Sequence, residues 1–434
     1  MSDRVVVPGG GFSSSLGLAC SKGLVGAVQL LLKRGCDPAV ADSDGDTALH
    51  LVCFGQNEEL VHMLVAHPGV DIDALNSDQH TPLANAMRVG NTGMITAMLH
   101  HGANPAVSLP ESKDISLLHF CAILNLPDLT LLVLAKGQGR LEINRPDANG
   151  DTALHVCCLK GHAAVAKVLL DRADILVNAV NKSGVTPLCS ALNTSHKDLA
   201  MQLLSREDVD VDIGSNLGTG SVLILACYIA DADVLSLVLQ KTKMGINEQT
   251  SIELKDSDAP AGMKTLGVTP LHISAVFNNP AVIRLLLADE AIDVNLVDKR
   301  KKGALDIAAT SGSVEVVKIL LEHGADVNQQ DEDGNTPLFS AGMRNHFEVV
   351  SLMLDTGRVD LGLVSNCNRS LLHCCANHQP LVERLLPQID PTLALTTGDR
   401  VTSLDVALAS HQRECAMVLA TSLGPSAGER MATT

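Results

Sequence analysis

Hydrophobic residues recur along the chain as two short stripes per segment, separated by polar turns. In one segment the first stripe follows Thr152-Ala-Leu-His155, and the second is Val165-Ala-Lys-Val-Leu-Leu170. The spacing within each stripe is typical of one face of an amphipathic helix. Clusters such as Gln330-Asp-Glu-Asp-Gly334 predict turns between segments. The pattern therefore predicts a repeated unit of helix, short turn, helix and extended finger.

A hydroxyl residue begins the first predicted helix of most segments. Thr and Ser cap helix N-termini, and Pro fits the position that follows the cap. Ten of the eleven intervals between successive anchors are 32 to 36 residues long, which predicts repeats that bury their stripes by stacking on their neighbours. The twelve anchors are Ser14, Thr47, Thr81, Ser116, Thr152, Thr186, Ser221, Thr269, Gly303, Thr336, Ser370 and Thr402.

The period, the Thr269-Pro-Leu-His272 core and the Gly324-Ala-Asp-Val-Asn328 closing resemble the ankyrin repeat. The resemblance covers roughly residues 13–422. It implies an all-α fold, an ankyrin-type α-solenoid of about twelve helix-turn-helix repeats with β-turn fingers. It also implies that partners contact the concave face. We expect residues 1–12 to be a flexible N-terminus and residues 423–434 to be a disordered C-terminal tail.

One interval, from Ser221 to Thr269, is 48 residues long. The closing residue Asn247 precedes Thr269 by 22 positions, whereas the corresponding distance in regular copies is eight. The 14 extra residues therefore belong to a finger, at about 248–262. Such a loop is either a tolerated surface insertion or a partner contact or regulated flap.

The net charge of −17 disfavours nucleic acid as a partner. No stretch has the roughly 18 apolar residues that a membrane span needs, so we expect no membrane insertion. Twelve cysteines without a secretory signal indicate a reducing, intracellular compartment, cytoplasmic or also nuclear. We expect a monomer.

Cysteine and histidine offer the most tempting chemistry. Cys157-Cys158 lies beside His155, and Cys374-Cys375 lies beside His373, which could indicate a metal- or thiol-dependent enzyme or redox sensor. However, Cys157, Cys158 and Cys375 stand where the repeat has alanine, as a small hydrophobe would. A histidine that recurs once per repeat indicates a structural role, and the family resemblance implies that it braces neighbouring turns. We therefore expect no catalytic residue, metal or cofactor, and keep the enzyme or sensor as the alternative.

Candidate contact positions lie seven and eight residues after each anchor, where the resemblance places the exposed end of the first helix. The chain has only seven aromatic residues (six Phe and one Tyr), and three of them fall at these positions. Aromatic and Arg side chains are favoured in binding hot spots. The alternative is that some pack beneath the fingers. The candidate partner-binding residues are Phe54, Arg88, Ile123, Leu124, Leu159, Tyr228, Phe277, Met343 and Arg344.

A dense basic run, Lys299-Arg300-Lys301-Lys302, lies at a predicted finger tip. It could be a solvated finger, a contact for an acidic partner or a nuclear import signal. Most other fingers are acidic, which suits a protein partner with a basic or amphipathic face. The sequence thus predicts a non-catalytic scaffold, adaptor or inhibitor that binds a protein through its concave face. A purely architectural spacer in a larger complex is the other alternative.

Overall fold

The computed structural model describes residues 4–6, 12–55, 57–213, 221–243, 245–253, 264–389, 402–410 and 412–423. Within these ranges the chain forms 24 α-helices in twelve consecutive pairs, with only short two-stranded sheets. The predicted all-α fold of stacked helix pairs is confirmed. The chain divides into two compact units, residues 1–209 (unit 1) and 210–434 (unit 2).

Unit 1 holds the first six helix pairs. Its helices are α1 (Ser15–Ser21), α2 (Val25–Lys33), α3 (Ala48–Val52), α4 (Glu59–Val65), α5 (Pro82–Val89), α6 (Thr92–His100), α7 (Leu117–Leu124), α8 (Pro127–Lys136), α9 (Ala153–Lys160), α10 (Ala163–Leu170), α11 (Pro187–Asn193) and α12 (Lys197–Leu204). Strand β1 (Arg4–Val6) pairs antiparallel with β2 (Phe12–Ser14), and β3 (Ser108–Leu109) pairs antiparallel with β4 (Ile115–Ser116). Neither sheet was predicted from the sequence.

Unit 2 holds the other six pairs. Its helices are α13 (Val222–Ile229), α14 (Ala232–Lys241), α15 (Pro270–Val276), α16 (Pro280–Leu287), α17 (Ala304–Ser311), α18 (Val314–Glu322), α19 (Pro337–Met343), α20 (Phe347–Asp355), α21 (Leu371–Cys375), α22 (Gln379–Leu385), α23 (Ser403–Ala409) and α24 (Arg413–Leu423). None of these described helices, and none in unit 1, is long and apolar enough to cross a membrane.

Within each unit, first helices pack on first helices and second helices on second helices. In unit 1, for example, α7 packs on α9, and α8 packs on α10. Leu154 of α9 and Leu169 of α10 are fully buried between such layers. Burying a leucine side chain stabilises the fold by about 1.5–3 kcal/mol. Stacking therefore buries the two stripes that a single pair would leave in water.

The sequence anchors are the helix starts. Eleven of them are the N-cap of a first helix, and Ser14 directly precedes α1. At α5, the Thr81 Oγ1 accepts a hydrogen bond from the Ala84 N–H at 3.2 Å. Gly303 differs because it has no side chain to accept such a bond.

The predicted finger insertion at 248–262 lies partly outside the described residues, at 254–263. Its two edges form an antiparallel pair, β5 (Thr250–Glu253) with β6 (Lys264–Val268), so the edges of the longer finger are a two-stranded ribbon. Of the expected flexible N-terminus, residues 4–6 form β1, and residues 1–3 and 7–11 lie outside the described residues. The expected tail lies outside them from residue 424 onward.

Candidate functional site

The turn that enters several first helices is built by a hydroxyl residue and a histidine. Before α9, the Thr152 N–H donates to the His155 Nδ1 at 3.1 Å, so the ring hydrogen lies on Nε2. That Nε2 donates to the Val185 carbonyl oxygen in the next finger at 3.0 Å. Burial lowers the pKa of His155, which holds the ring neutral and keeps Nδ1 an acceptor.

The same bonds recur at His50, His119 and His272, whose Nε2 atoms bond carbonyl oxygens of the following finger at 3.0, 2.8 and 2.9 Å. Burial lowers the pKa of each of these three rings as well. Because both ring nitrogens form hydrogen bonds to the backbone, neither nitrogen is available to bind a substrate. The interpretation of these histidines as braces between turns is confirmed.

The paired cysteines are part of the core. Cys157 and Cys158 are fully buried in α9. Burial raises the pKa of Cys157 to about 12, with a smaller contribution from Cys121. Burial likewise raises the pKa of Cys374 to about 12. Because the thiolate is the reactive and metal-binding form, these buried thiols are poorly suited to redox or metal chemistry. In the described ranges no three His, Cys, Asp or Glu residues lie together as a metal site would require.

In unit 1, an exposed large apolar side chain recurs at or near the end of four consecutive first helices. We call these four residues the apolar row: Phe54, Val89, Leu124 and Leu159, each between 44% and 52% exposed. Val89, Leu124 and Leu159 lie in the first helices α5, α7 and α9, and Phe54 lies two residues after the end of α3. Arg88 is also exposed, and Ile123 is half-buried. The candidate residues of unit 1 thus lie at or near the ends of consecutive first helices.

The two aromatic candidates of unit 2 differ from those of unit 1. The rings of Tyr228 and Phe277 lie edge-to-face with their centroids 4.9 Å apart, and both residues are half-buried. The expectation of solvent-facing aromatics at these two positions therefore needs correction, since each ring covers the other. Met343 is 53% exposed and Arg344 is also exposed, at the end of α19.

The basic finger also needs correction, at Lys302. Its Nζ lies 2.9 Å from the Asp306 Oδ2 and 3.4 Å from the Asp331 Oδ2, and both carboxylates are almost fully buried. Lys302 therefore neutralises buried charge inside the repeat stack, and its side chain is only 22% exposed. Lys299 and Lys301 are exposed.

Arg300, the remaining basic residue of that finger, pairs with Glu332 of the next finger, with its Nε 3.2 Å from the Oε1. The backbone reinforces this contact, since the Glu332 N–H donates to the Arg300 carbonyl oxygen at 2.9 Å. The finger is thus tied to its neighbour through both its main chain and its side chains.

A second set of braces was missed by the sequence reasoning. Polar residues just before a second helix bond carbonyl oxygens at or just after the end of the first helix in the preceding repeat. The Asn91 Nδ2 donates to the Gly55 carbonyl oxygen at 2.9 Å, and the His162 Nδ1 bonds the Ala122 carbonyl oxygen at 2.7 Å. The available signal was a polar residue, His or Asn, about ten residues after an anchor. These bonds fix the helix ends that carry the apolar row.

Comparison with known proteins identifies the family. A family model described as ankyrin repeats (3 copies) matches residues 16–108, 118–216, 223–331 and 305–394. These matches cover most of the chain and coincide with the helix pairs. The chain is an ankyrin-repeat protein. Ankyrin repeats generally mediate protein–protein interaction, and the repeat fold itself is generally non-catalytic.

This ankyrin-repeat protein is similar to several much longer proteins. It is 27% identical over 338 residues to the E3 ubiquitin-protein ligase KEG of Arabidopsis thaliana, covering 76% of this chain and 20% of the relative. It is 26% identical over 356 residues to the human transient receptor potential cation channel subfamily A member 1, covering 79% and 30%. For the ankyrin repeat protein nuc-2 of Neurospora crassa, the values are 26% over 322 residues, 72% and 28%. The chain thus spans between a fifth and a third of the length of these relatives.

Proposed function

We propose that this chain is a non-catalytic binding module that docks a helical segment of a partner protein along the apolar row of unit 1. The observation that carries the proposal is the recurrence of an exposed large apolar side chain, seven or eight residues after the anchor, in four consecutive repeats. Exposed apolar surface of this kind marks protein interaction sites. In the part of the chain that the structure describes, the other exposed large apolar residues, such as Leu75 and Leu176, do not recur in four consecutive repeats.

The spacing of the row favours a helix as the ligand. Packed neighbouring helices lie about 8–10 Å apart, so row residues of adjacent repeats are separated by a similar distance. An α-helix advances about 1.5 Å per residue, so residues seven positions apart on one face are about 10 Å apart. A partner helix with an apolar residue in every heptad would therefore place one side chain against each repeat.

Acidic side chains in the fingers of the same repeats set the charge of that partner. Asp44 and Asp78 are exposed at the tips of the fingers before α3 and α5. Asp46 in the same region is engaged by the Asn76 Nδ2 at 2.7 Å. The two exposed carboxylates favour Lys or Arg on the flanks of the docked helix, since complementary charge steers association and fixes register. The proposed partner is thus an amphipathic, basic helix.

A peptide selection tests this proposal. Random peptides of about 25 residues, displayed on phage, are selected on the full chain. We expect the selected peptides to carry apolar residues at heptad spacing with Lys or Arg beside them. The double variant Leu124→Ser/Leu159→Ser should lower their affinity at least about tenfold, because it removes two adjacent anchors. Both positions are exposed, so the variant should fold.

The matched control is Leu30→Ser/Leu131→Ser. These two leucines are 55% and 54% exposed, but they lie on second helices. The control should bind the selected peptides as the wild type does. Peptides that lack the heptad pattern, or equal affinity for the two double variants, would contradict the docking of a helix on the apolar row.

The role, oligomeric state and cellular environment of the module are also part of the proposal. We propose that it acts as a scaffold, adaptor or inhibitor, as a monomer, in a reducing cytoplasmic or nuclear environment. Support comes from its buried free thiols, of which Cys157 and Cys158 are examples. Such thiols stay reduced where glutathione and thioredoxin are present.

A further inference from the structure

A cavity of about 350 Å³ opens in unit 2, remote in sequence from the apolar row. It is lined by the first helices α17, α19 and α21 and by the fingers that precede α19 and α21. Pockets that take small ligands or side chains have volumes of about 300–1,000 Å³, so this cavity suits one or two side chains and not a whole helix.

The charges that line the cavity are mainly positive. Lys302, Arg344 and Arg369 contribute cationic groups, and Asp333 contributes the one carboxylate of the lining. Lys302 is already paired with the buried Asp306 and Asp331, so the two arginines dominate the charge offered to a ligand. In a chain with a net charge of −17, this concentration of positive charge is the opposite of the average surface.

The two arginines also differ from other arginines of the same unit. Arg284 pairs with Glu315 at 2.5 Å, and Arg384 pairs with Asp355 at 2.7 Å, each joining neighbouring repeats. Arg344 and Arg369 are exposed, and among the described residues neither has a carboxylate within ion-pair distance. Their guanidinium groups are therefore available to a partner.

Two buried carboxylates near the cavity, those of Asp306 and Asp331, are held away from these arginines. The Asp306 Oδ1 accepts a hydrogen bond from the Ser340 Oγ at 2.6 Å, while its Oδ2 faces Lys302. The Asp331 Oδ1 accepts hydrogen bonds from the backbone N–H groups of Asp333 and Asn335 at 3.0 and 2.8 Å. Both carboxylates are therefore held by other partners, and Asp333 is the one carboxylate of the lining that remains beside the two arginines.

We propose that this cavity is an anchoring site for an acidic side chain of a partner peptide, in which Arg344 and Arg369 bind a glutamate or aspartate carboxylate. Guanidinium and carboxylate groups form short, charge-assisted and often bidentate hydrogen bonds. Met343, 53% exposed and part of the lining, supplies apolar contact for the methylene groups of the bound residue. The site would recognise acidic sequence, in contrast to the basic helix proposed for unit 1.

The test uses the full chain and a fluorescein-labelled peptide of eight alternating glutamate and leucine residues. A matched peptide has glutamine in place of glutamate. We expect fluorescence anisotropy to show binding of the glutamate peptide, with the glutamine peptide at least about tenfold weaker. Binding should weaken when the salt concentration rises from about 0.05 M to about 0.5 M, because mobile ions screen exposed charges.

The decisive variant is Arg344→Ala/Arg369→Ala, with Arg284→Ala/Arg384→Ala as its control. Both remove two positive charges, but only the first removes them from the cavity. The first should lower affinity for the glutamate peptide at least about tenfold, and the control should not. The proposal is overturned if the wild type does not bind the glutamate peptide, if glutamate and glutamine peptides bind alike, or if both variants lose affinity equally. The unit 1 variant Leu124→Ser/Leu159→Ser should bind this peptide normally, which separates the two sites.

Discussion

The turns at Thr152 and at Gly303 occupy the same place in two helix pairs but are held together by different chemistry. In the first, a neutral His155 ring joins the cap of α9 to the next finger through bonds of 3.1 and 3.0 Å. In the second, Asp306 stands where the first has histidine, and Lys302 lies 2.9 Å from it. One turn is a neutral hydrogen-bond network, and the other is a buried ion cluster.

The charge balance of the second turn makes it more sensitive to substitution. The single ammonium of Lys302 serves two buried carboxylates, Asp306 and Asp331. Burial raises the pKa of Asp306, and Asp331 adds to this, against the opposing effect of Lys302. For Lys302, burial acts to lower the pKa, but the two carboxylates outweigh it and the pKa is raised. Losing one member of such a cluster leaves an uncompensated buried charge.

The largest expected effect is therefore that of Lys302→Met. It leaves two carboxylates buried without a counterion, and we expect it to lower the free energy of unfolding by about 3 kcal/mol. Urea denaturation followed by circular dichroism measures this loss. Hydrogen exchange should assign it to the region around α17 and α19, because contacts in a repeat stack are between neighbours.

The double variant Lys302→Met/Asp306→Asn is the control for charge. It removes one buried negative charge along with the positive one, so it should recover part of the lost stability. A double variant less stable than Lys302→Met alone would contradict the ion-cluster account of this turn.

A smaller loss is expected for His155→Leu. This change leaves the Thr152 N–H and the Val185 carbonyl oxygen without the ring that joins them. Each buried polar group left unpaired costs about 1 kcal/mol or more, so we expect a loss of about 2 kcal/mol. The matched variant at an exposed site, Leu159→Ser, should leave the urea midpoint nearly unchanged. If His155→Leu lowers the free energy of unfolding as much as Lys302→Met does, the claim that the second turn is more sensitive to substitution is wrong.

The smallest but most specific difference is in the response to pH. The folded-state pKa of His155 lies below 6.5, so the unfolded chain takes up the proton first and stability is lost as the pH falls below about 6.5. For Asp306 the folded-state pKa is raised, so the folded chain takes up the proton first and acidification does not weaken that turn.

Unfolding of three proteins at about pH 7.5 and pH 6.0 tests these opposite signs. The stability gap between the wild type and His155→Leu should narrow at the lower pH. The difference in the free energy of unfolding between the wild type and Asp306→Asn should be the same at about pH 6.0 as at about pH 7.5, or larger. If both differences become smaller at about pH 6.0, the account of the second turn as a buried cluster of charged groups is wrong.

The features that could be predicted from the sequence are those that depend on residues close together in the chain. A Thr or Ser cap, a following Pro and an apolar stripe are readable within a few residues, so the helix starts and the buried cysteines could be predicted, whereas the bracing role of His155 was implied by the family resemblance. The departure at Gly303 was also visible, but its consequence was not. A run of basic residues predicts solvent-exposed side chains unless their carboxylate partners are known. One partner of Lys302 is Asp331, which lies 29 positions away in sequence, so the burial of this charge could not be predicted.

The candidate site could be predicted only in outline for a similar reason. The position of each contact residue follows from the repeat, but its exposure depends on what the neighbouring repeat places beside it. Leu159 is exposed at its position, whereas Tyr228 and Phe277 cover each other although they are 49 residues apart. The ion pairs that distinguish Arg284 from Arg344 likewise join different repeats. Such pairings are properties of the stack and not of a single unit.

The most direct test of the central claim, that unit 1 receives a helix on its apolar row, is site-specific photocrosslinking. A benzophenone-bearing amino acid replaces Leu159 in one variant and Leu131 in another, since the two are 52% and 54% exposed. With a selected heptad peptide, the account predicts a crosslinked product from position 159 and none from position 131. Crosslinking from position 131 alone, or equally from both, would contradict docking on the apolar row.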